Sequence, residues 1–172
     1  GYLNLMKLNS CAYLDAAGEL PQVTVDELAQ YGAGLICLTV GPDGPIGRLL
    51  RHGQQAKAVV LLDQLAAIYP QLLYVELQRH PVDGGLPEAE RLSERGHIEM
   101  AYAKGLPLVA TNDVYFPKSA FYEAHDALIC IAEGAYVDQQ EPRRRLTPQH
   151  YFKSPREMAT LFADLPEALE NT

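Results

Sequence analysis

Apolar residues recur along this chain in two rhythms, one suited to helices and one to buried strands. In residues 2–14, Leu5, Leu8 and Ala12 fall at helical spacing. Thr24 followed by Glu27 forms the signature of a capping box, in which the threonine side chain and the glutamate satisfy each other's backbone donors at a helix start. Two helices are therefore expected first. Residues 34–40 are then a short continuous apolar run ending in a turn-rich segment of Gly and Pro, the pattern of a strand buried on both faces.

The next apolar spacing, residues 46–68, is helical and broken near Gly53, with Val59, Leu62, Leu65, Ala66 and Tyr69 on one side. A second strand follows at residues 72–78, nearly all apolar except Glu76. A Pro- and Gly-rich loop leads to a helix over residues 87–104, which Gly105 closes because glycine adopts the left-handed conformation of a helix C-cap at little cost. The third strand is residues 108–111. Helices are expected again over residues 119–133, ended by Gly134, and from the Ser154 capping signature to about Phe162, with a polar, basic loop over 137–145 between them. This alternation predicts an α/β fold, a parallel sheet covered by helices.

With 172 residues, the chain can bury roughly two-thirds of its unfolded surface, enough for one domain or a large piece of one. Hydrophobic residues make up 48% and charged residues 21%, and no apolar run approaches the roughly 20 residues that cross a bilayer. No membrane partner and no secretory leader are expected. Both ends read as cuts from a longer polypeptide. The net charge of -8 opposes non-specific binding to nucleic acid phosphates, and with the apolar composition fits a cytoplasmic protein. Cys11, Cys37 and Cys130 lack the close pairs of a zinc site or the density of a disulfide scaffold, so they are expected to be reduced, buried thiols.

Four polar groupings carry candidate chemistry. Glu76, Arg79 and His80 end the second strand, and Asn112 and Asp113 end the third. In a parallel sheet those ends lie on one rim, where ligands are held, and two carboxylates with an imidazole suit a divalent metal. The plainer alternative is a salt bridge between Glu76 and Arg79 with an exposed His80. His125 and Asp126 can approach the same rim, or simply satisfy neighbours within their helix. Arg143, Arg144 and Arg145 can hold phosphate or DNA, or form a solvated charge run. The glycines do not spell a phosphate loop, and neither Gly-x-Ser-x-Gly nor a Cys with a base partner is present, so covalent catalysis is unsupported.

The motifs Gly1-Tyr-Leu-Asn-Leu, Gly34-Leu-Ile-Cys-Leu-Thr, Leu73-Tyr-Val-Glu-Leu-Gln-Arg-His80, Leu108-Val-Ala-Thr-Asn-Asp113, Glu123-Ala-His-Asp-Ala-Leu-Ile-Cys-Ile131 and Leu165-Pro-Glu-Ala-Leu-Glu-Asn-Thr172 occur in one order along the whole chain. Together they resemble the polymerase and histidinol phosphatase (PHP) domain of bacterial DNA polymerase III alpha subunits. The resemblance implies that residues 1–172 are the C-terminal part of such a domain, an incomplete distorted (β/α)7 barrel of TIM-like type. It further implies a replicative, DNA-directed DNA polymerase as the parent chain, whose own catalytic residues lie elsewhere. Implied partners are the polymerase core, a proofreading exonuclease subunit and, through the full polymerase, DNA.

The resemblance implies that active members of the family hold metal ions on the barrel rim, and that some use them to remove mismatched nucleotides. The family's first His-x-His motif is expected upstream of Gly1. At the family's Asp-x-His position this chain keeps Asp113 but carries Tyr115, and Gly41 stands where active members commonly have Cys. A protonated phenol is a poor metal ligand. The expected site is thus degenerate, with Asp113 as its remaining ligand, Glu76 and His80 as weaker candidates, and no catalytic residue assigned. No cofactor is expected here, with zinc or manganese as the metal if the site is intact. The expected role is structural and interactive; the alternative is a metal-dependent phosphoesterase or 3'-5' proofreading exonuclease. A barrel lacking strands would expose apolar edges, so an open sheet or self-association is also expected.

Overall fold

In a computed structural model that describes residues 1–14, 20–139 and 146–172, three parallel strands are ordered β1-β2-β3: β1 (Cys37–Leu38), β2 (Leu73–Gln78) and β3 (Leu108–Thr111). The register sets Cys37 beside Leu73 and Glu76 beside Val109. The helices are α1 (Tyr2–Leu14), α2 (Val25–Tyr31), α3 (Pro45–Arg51), α4 (Gln55–Ile68), α5 (Glu88–Lys104), α6 (Tyr122–Glu133), α7 (Pro155–Leu161) and α8 (Pro166–Glu170). A 3-10 turn, Ser119–Phe121, leads into α6. Among the described residues this is a mixed α/β arrangement with a parallel sheet. No described helix is long and apolar enough to cross a membrane.

The chain's local chemistry accounts for these boundaries. Both capping boxes form, Thr24 with Glu27 and Ser154 with Glu157. Gly105 and Gly134 close α5 and α6 at φ 62° and 65°, a conformation that glycine takes without the clash of a Cβ. The helical region expected over 46–68 is broken where the sequence placed the break: Gly53 at φ 68° turns the chain between α3 and α4. β1 keeps only two of its seven expected residues, and α8 adds a short helix that periodicity did not suggest.

The core lies between the sheet and α3, α4, α5, α7 and α8. Leu73, Val75 and Leu77 of β2 meet Leu108 and Ala110 of β3, and against them pack Ile46 and Leu50, Leu62 and Leu65, Met100, and Phe162 with Ala168. Burying one such side chain stabilises the fold by about 1.5–3 kcal/mol. At the other extreme, Ile36, Leu38 and Val40 alternate along β1 with exposed side chains, as do Tyr2, Leu3 and Leu14 of α1. Of the three cysteines expected to be buried, only Cys130 is. Cys11 and Cys37 are half-buried, since α1 and β1 are covered on one side only.

Candidate metal centre at the strand rim

The rim forms where β2 and β3 end. Glu76 is the polar residue in an otherwise apolar strand, and its carboxylate ties the strands together. Oε2 accepts the backbone N–H of Val40 at 3.1 Å, while Oε1 accepts Gln78 Nε2 at 3.0 Å and the Thr111 hydroxyl. The Glu76 N–H in turn donates to Thr39 Oγ1 at 3.0 Å. Val40 is held at φ 57°, a strained conformation for a β-branched residue, where this bond secures it.

The salt bridge expected between Glu76 and Arg79 does not form. Arg79 turns to the other face of the sheet and pairs with Glu94 of α5 at 2.8 Å and with Asp164, between α7 and α8, at 2.6 Å. It also donates to the Leu161 carbonyl at 2.8 Å and lies over the Phe162 ring at 4.7 Å. Alternation along an extended chain explains the split, since residues three apart point to opposite faces.

His80, expected to be exposed in that alternative, is 2% exposed. Its Nδ1 lies 2.7 Å from Glu90 Oε1, and its backbone N–H donates to Glu90 Oε2 at 2.8 Å. An ionised carboxylate accepts only, so the proton sits on Nδ1 and Nε2 presents a lone pair. That Nε2 is buried without a hydrogen-bond partner. A carboxylate behind an imidazole is also how metal-ligating histidines are oriented.

His150 faces His80 ring to ring, 3.9 Å between centroids and 3° from parallel. No motif in the sequence points to it. It arrives because residues 150–152 run beside 115–116: the Tyr115 N–H donates to the His150 carbonyl at 2.9 Å and the Phe152 N–H to the Phe116 carbonyl at 3.0 Å. The Thr147 N–H donates to His150 Nδ1 at 3.1 Å. Burial pushes the His150 pKa down, and a hydrogen bond to the Thr147 backbone and the charge of Asp113 oppose that. Glu90 and His150 are the two rim residues that sequence reasoning missed.

Tyr115 lies edge-on to both His125, at 5.7 Å, and His150, at 5.9 Å. His125 Nδ1 is a second buried imidazole nitrogen without a hydrogen-bond partner, and Asp126 is buried next to it in α6. The rim therefore gathers His80, His150, Tyr115 and His125 near Asp113. Asn112 turns away from it, donating to the Tyr151 carbonyl at 2.8 Å and accepting from Lys153 at 3.2 Å. Arg143, Arg144 and Arg145 lie outside the described residues.

His80 Nε2 has the chemistry of a metal ligand. The rest of the set does not fit, because Glu76 spends both oxygens on the strands, and no three His, Cys, Asp or Glu among the described residues are grouped to hold an ion.

Comparison with known proteins adds the context. A PHP domain model matches residues 1–80. The chain is 51% identical over 174 residues to the DNA polymerase III subunit alpha of Caulobacter vibrioides, and 40% identical to those of Pseudomonas aeruginosa and Escherichia coli. Each match covers 100% of this chain but only 14–15% of the relative, so the chain spans about one-seventh of the length of the proteins it matches.

Proposed function

We propose that the chain, similar to a PHP domain over residues 1–80 and to DNA polymerase III alpha subunits along its whole length, serves a replicative, DNA-directed DNA polymerase as a structural and interaction module with a degenerate metal site. The observation that carries this reading is the Glu76 carboxylate. A residue at the ligand rim is committed to holding β1, β2 and β3 together, and Tyr115 stands at the family's His position. Asp113 is then a remnant of a ligand set.

In this reading residues 1–172 form part of a PHP domain, and the three strands are an arc of the distorted (β/α)7 barrel. The exposed alternation of Ile36, Leu38 and Val40 supports further protein packing against β1, because apolar patches of this kind seldom face water in an isolated domain. The partners are the polymerase core of the same chain, a proofreading exonuclease subunit and, through the polymerase, DNA. The setting is cytoplasmic. The Arg143 to Arg145 run is kept as a candidate DNA contact.

A second reading, metal-dependent phosphoesterase or 3'-5' exonuclease with zinc or manganese, is favoured by one observation: the buried, partnerless Nε2 of His80 backed by Glu90. One experiment separates the two. Mismatched primer is incubated with the full chain, wild type and Asp113→Ala, with and without manganese. An equal and chelator-insensitive background in both supports the module. Manganese-dependent trimming lost in Asp113→Ala establishes the enzyme instead.

A further inference from the structure

We propose that a cavity of about 290 Å³ beside α7 binds the oxyanion of a small organic phosphate or carboxylate, with Lys153 and Arg156 as its cationic donors. This goes beyond the module reading and does not depend on it.

The argument begins with Lys153, which is buried with 8% of its surface exposed. Its ammonium donates to Asn112 Oδ1 at 3.2 Å and to the Gln149 carbonyl, and lies over the Tyr151 ring at 4.6 Å. All of these partners are neutral. An ammonium has three donors, so one remains. Glu157 and Glu90 act on the ammonium through space, but neither forms a contact ion pair with it among the described residues, and an anion in the adjoining cavity would supply that contact. The downward displacement of its pKa, due first to burial, is consistent with that environment.

Arg156 lines the same cavity, and its guanidinium has no carboxylate partner among the described residues. The cavity does contain a carboxylate, Glu157. Its Oε2 is occupied by the Ser154 N–H at 2.7 Å and the Ser154 hydroxyl at 2.6 Å, and its Oε1 by the Tyr151 hydroxyl at 2.6 Å. Those bonds, with a smaller contribution from the Lys153 charge, hold its pKa down at about 2, so it stays ionised at the helix cap, where it makes no contact ion pair with either cation among the described residues. Pro81 and Leu161 supply apolar wall. Two cations without a contact ion pair, beside an apolar wall, favour an anionic head on an apolar body.

The test is calorimetric titration of the full chain with phenyl phosphate and with inorganic phosphate, at matched ionic strength in chloride. Saturable binding of phenyl phosphate, tighter than inorganic phosphate and weakened about tenfold by Arg156→Gln, is expected, since a charge-assisted hydrogen bond is worth about that factor. Lys153→Met should weaken it at least as much. Arg156 is exposed, so its variant decides the matter if Lys153→Met fails to fold. Absence of saturation at about 10 mM phenyl phosphate, or affinity unchanged in Arg156→Gln, overturns the proposal.

Discussion

The imidazole of His80 lies flat on that of His150, with 3.9 Å between ring centroids, and Glu90 grips the Nδ1 side of His80 at 2.7 Å. Neither ring is placed by its own secondary structure. His80 follows the end of β2, and His150 comes in on a segment paired with residues 115–116.

The first prediction concerns the proton in this stack. Nitrogen-15 correlation spectra should show His80 protonated at Nδ1, the nitrogen that faces Glu90. A His80 protonated only at Nε2 would sink the assignment. Glu90→Ala should cost about 2–4 kcal/mol of unfolding free energy, because it strands a buried N–H and an imidazole donor.

His97 in α5 sets the acid limit. Burial is the largest cause lowering its pKa from 6.5 to about 4, and its Nε2 has no hydrogen-bond partner. The folded value lies below the unfolded one, so the unfolded chain binds the proton more readily. Stability from this group is fully present above pH 6.5 and is lost as pH falls toward 4, by about 3 kcal/mol in total. Urea unfolding at pH 7 and pH 4.5 should show that loss, and His97→Phe should flatten it. A variant with the wild-type pH slope would refute this origin.

Arg79 fastens α5 and the α7–α8 connection to the end of β2 through Glu94, Asp164 and the Leu161 carbonyl. Arg79→Ala should destabilise by about 3–5 kcal/mol, since Glu94 is left as a largely buried charge. Arg79→Lys should recover only part, because an ammonium cannot span two carboxylates as a planar fork does. Asp164→Asn should cost under about 1 kcal/mol, its side chain being 62% exposed. Thermal melts of the three variants check the order; an Asp164 effect equal to that of Arg79 would contradict it.

Glu76 and Gly41 make a linked test of how the rim is held together. Glu76→Ala should cost about 2–4 kcal/mol by stranding the Val40 N–H, Gln78 and Thr111. Gly41→Cys places a Cβ 2.7 Å from Gln78 Oε1 at a backbone φ of +22°. Gln78 must then leave Glu76, at a cost of about 1–3 kcal/mol. Denaturant midpoints for each variant and for the pair should be less than additive, because both changes break the Gln78–Glu76 bond. Strict additivity would count against the link.

Much of the fold was legible because it rests on short-range chemistry. Thr24–Glu27 and Ser154–Glu157 formed their boxes, and Gly105 and Gly134 ended their helices, since each depends only on residues a few positions apart. β1 was overestimated for the opposite reason. A run such as residues 34–40 has the composition of a buried strand, yet only Cys37 and Leu38 gain a partner strand. The site was legible in part: Glu76, His80 and Asp113 were marked by polar residues ending apolar strands. Their partners were not, since Glu90 lies ten residues from His80 on a helix, and His150 has no motif of its own.

The sequence by itself determined the alternation of helices and strands, the caps that bound them, the rim where polar residues collect and the family to which the motifs point. These follow from periodicity, backbone conformation and residue order, which are local quantities. Only the tertiary structure decided which polar groups meet. It gave Arg79 to Glu94 and Asp164, committed Glu76 to Val40, Gln78 and Thr111, and laid His150 on His80. The physical reason is that a carboxylate becomes a strand tie or a free ligand according to which donors the packed chain brings within hydrogen-bond reach, and those donors come from distant segments.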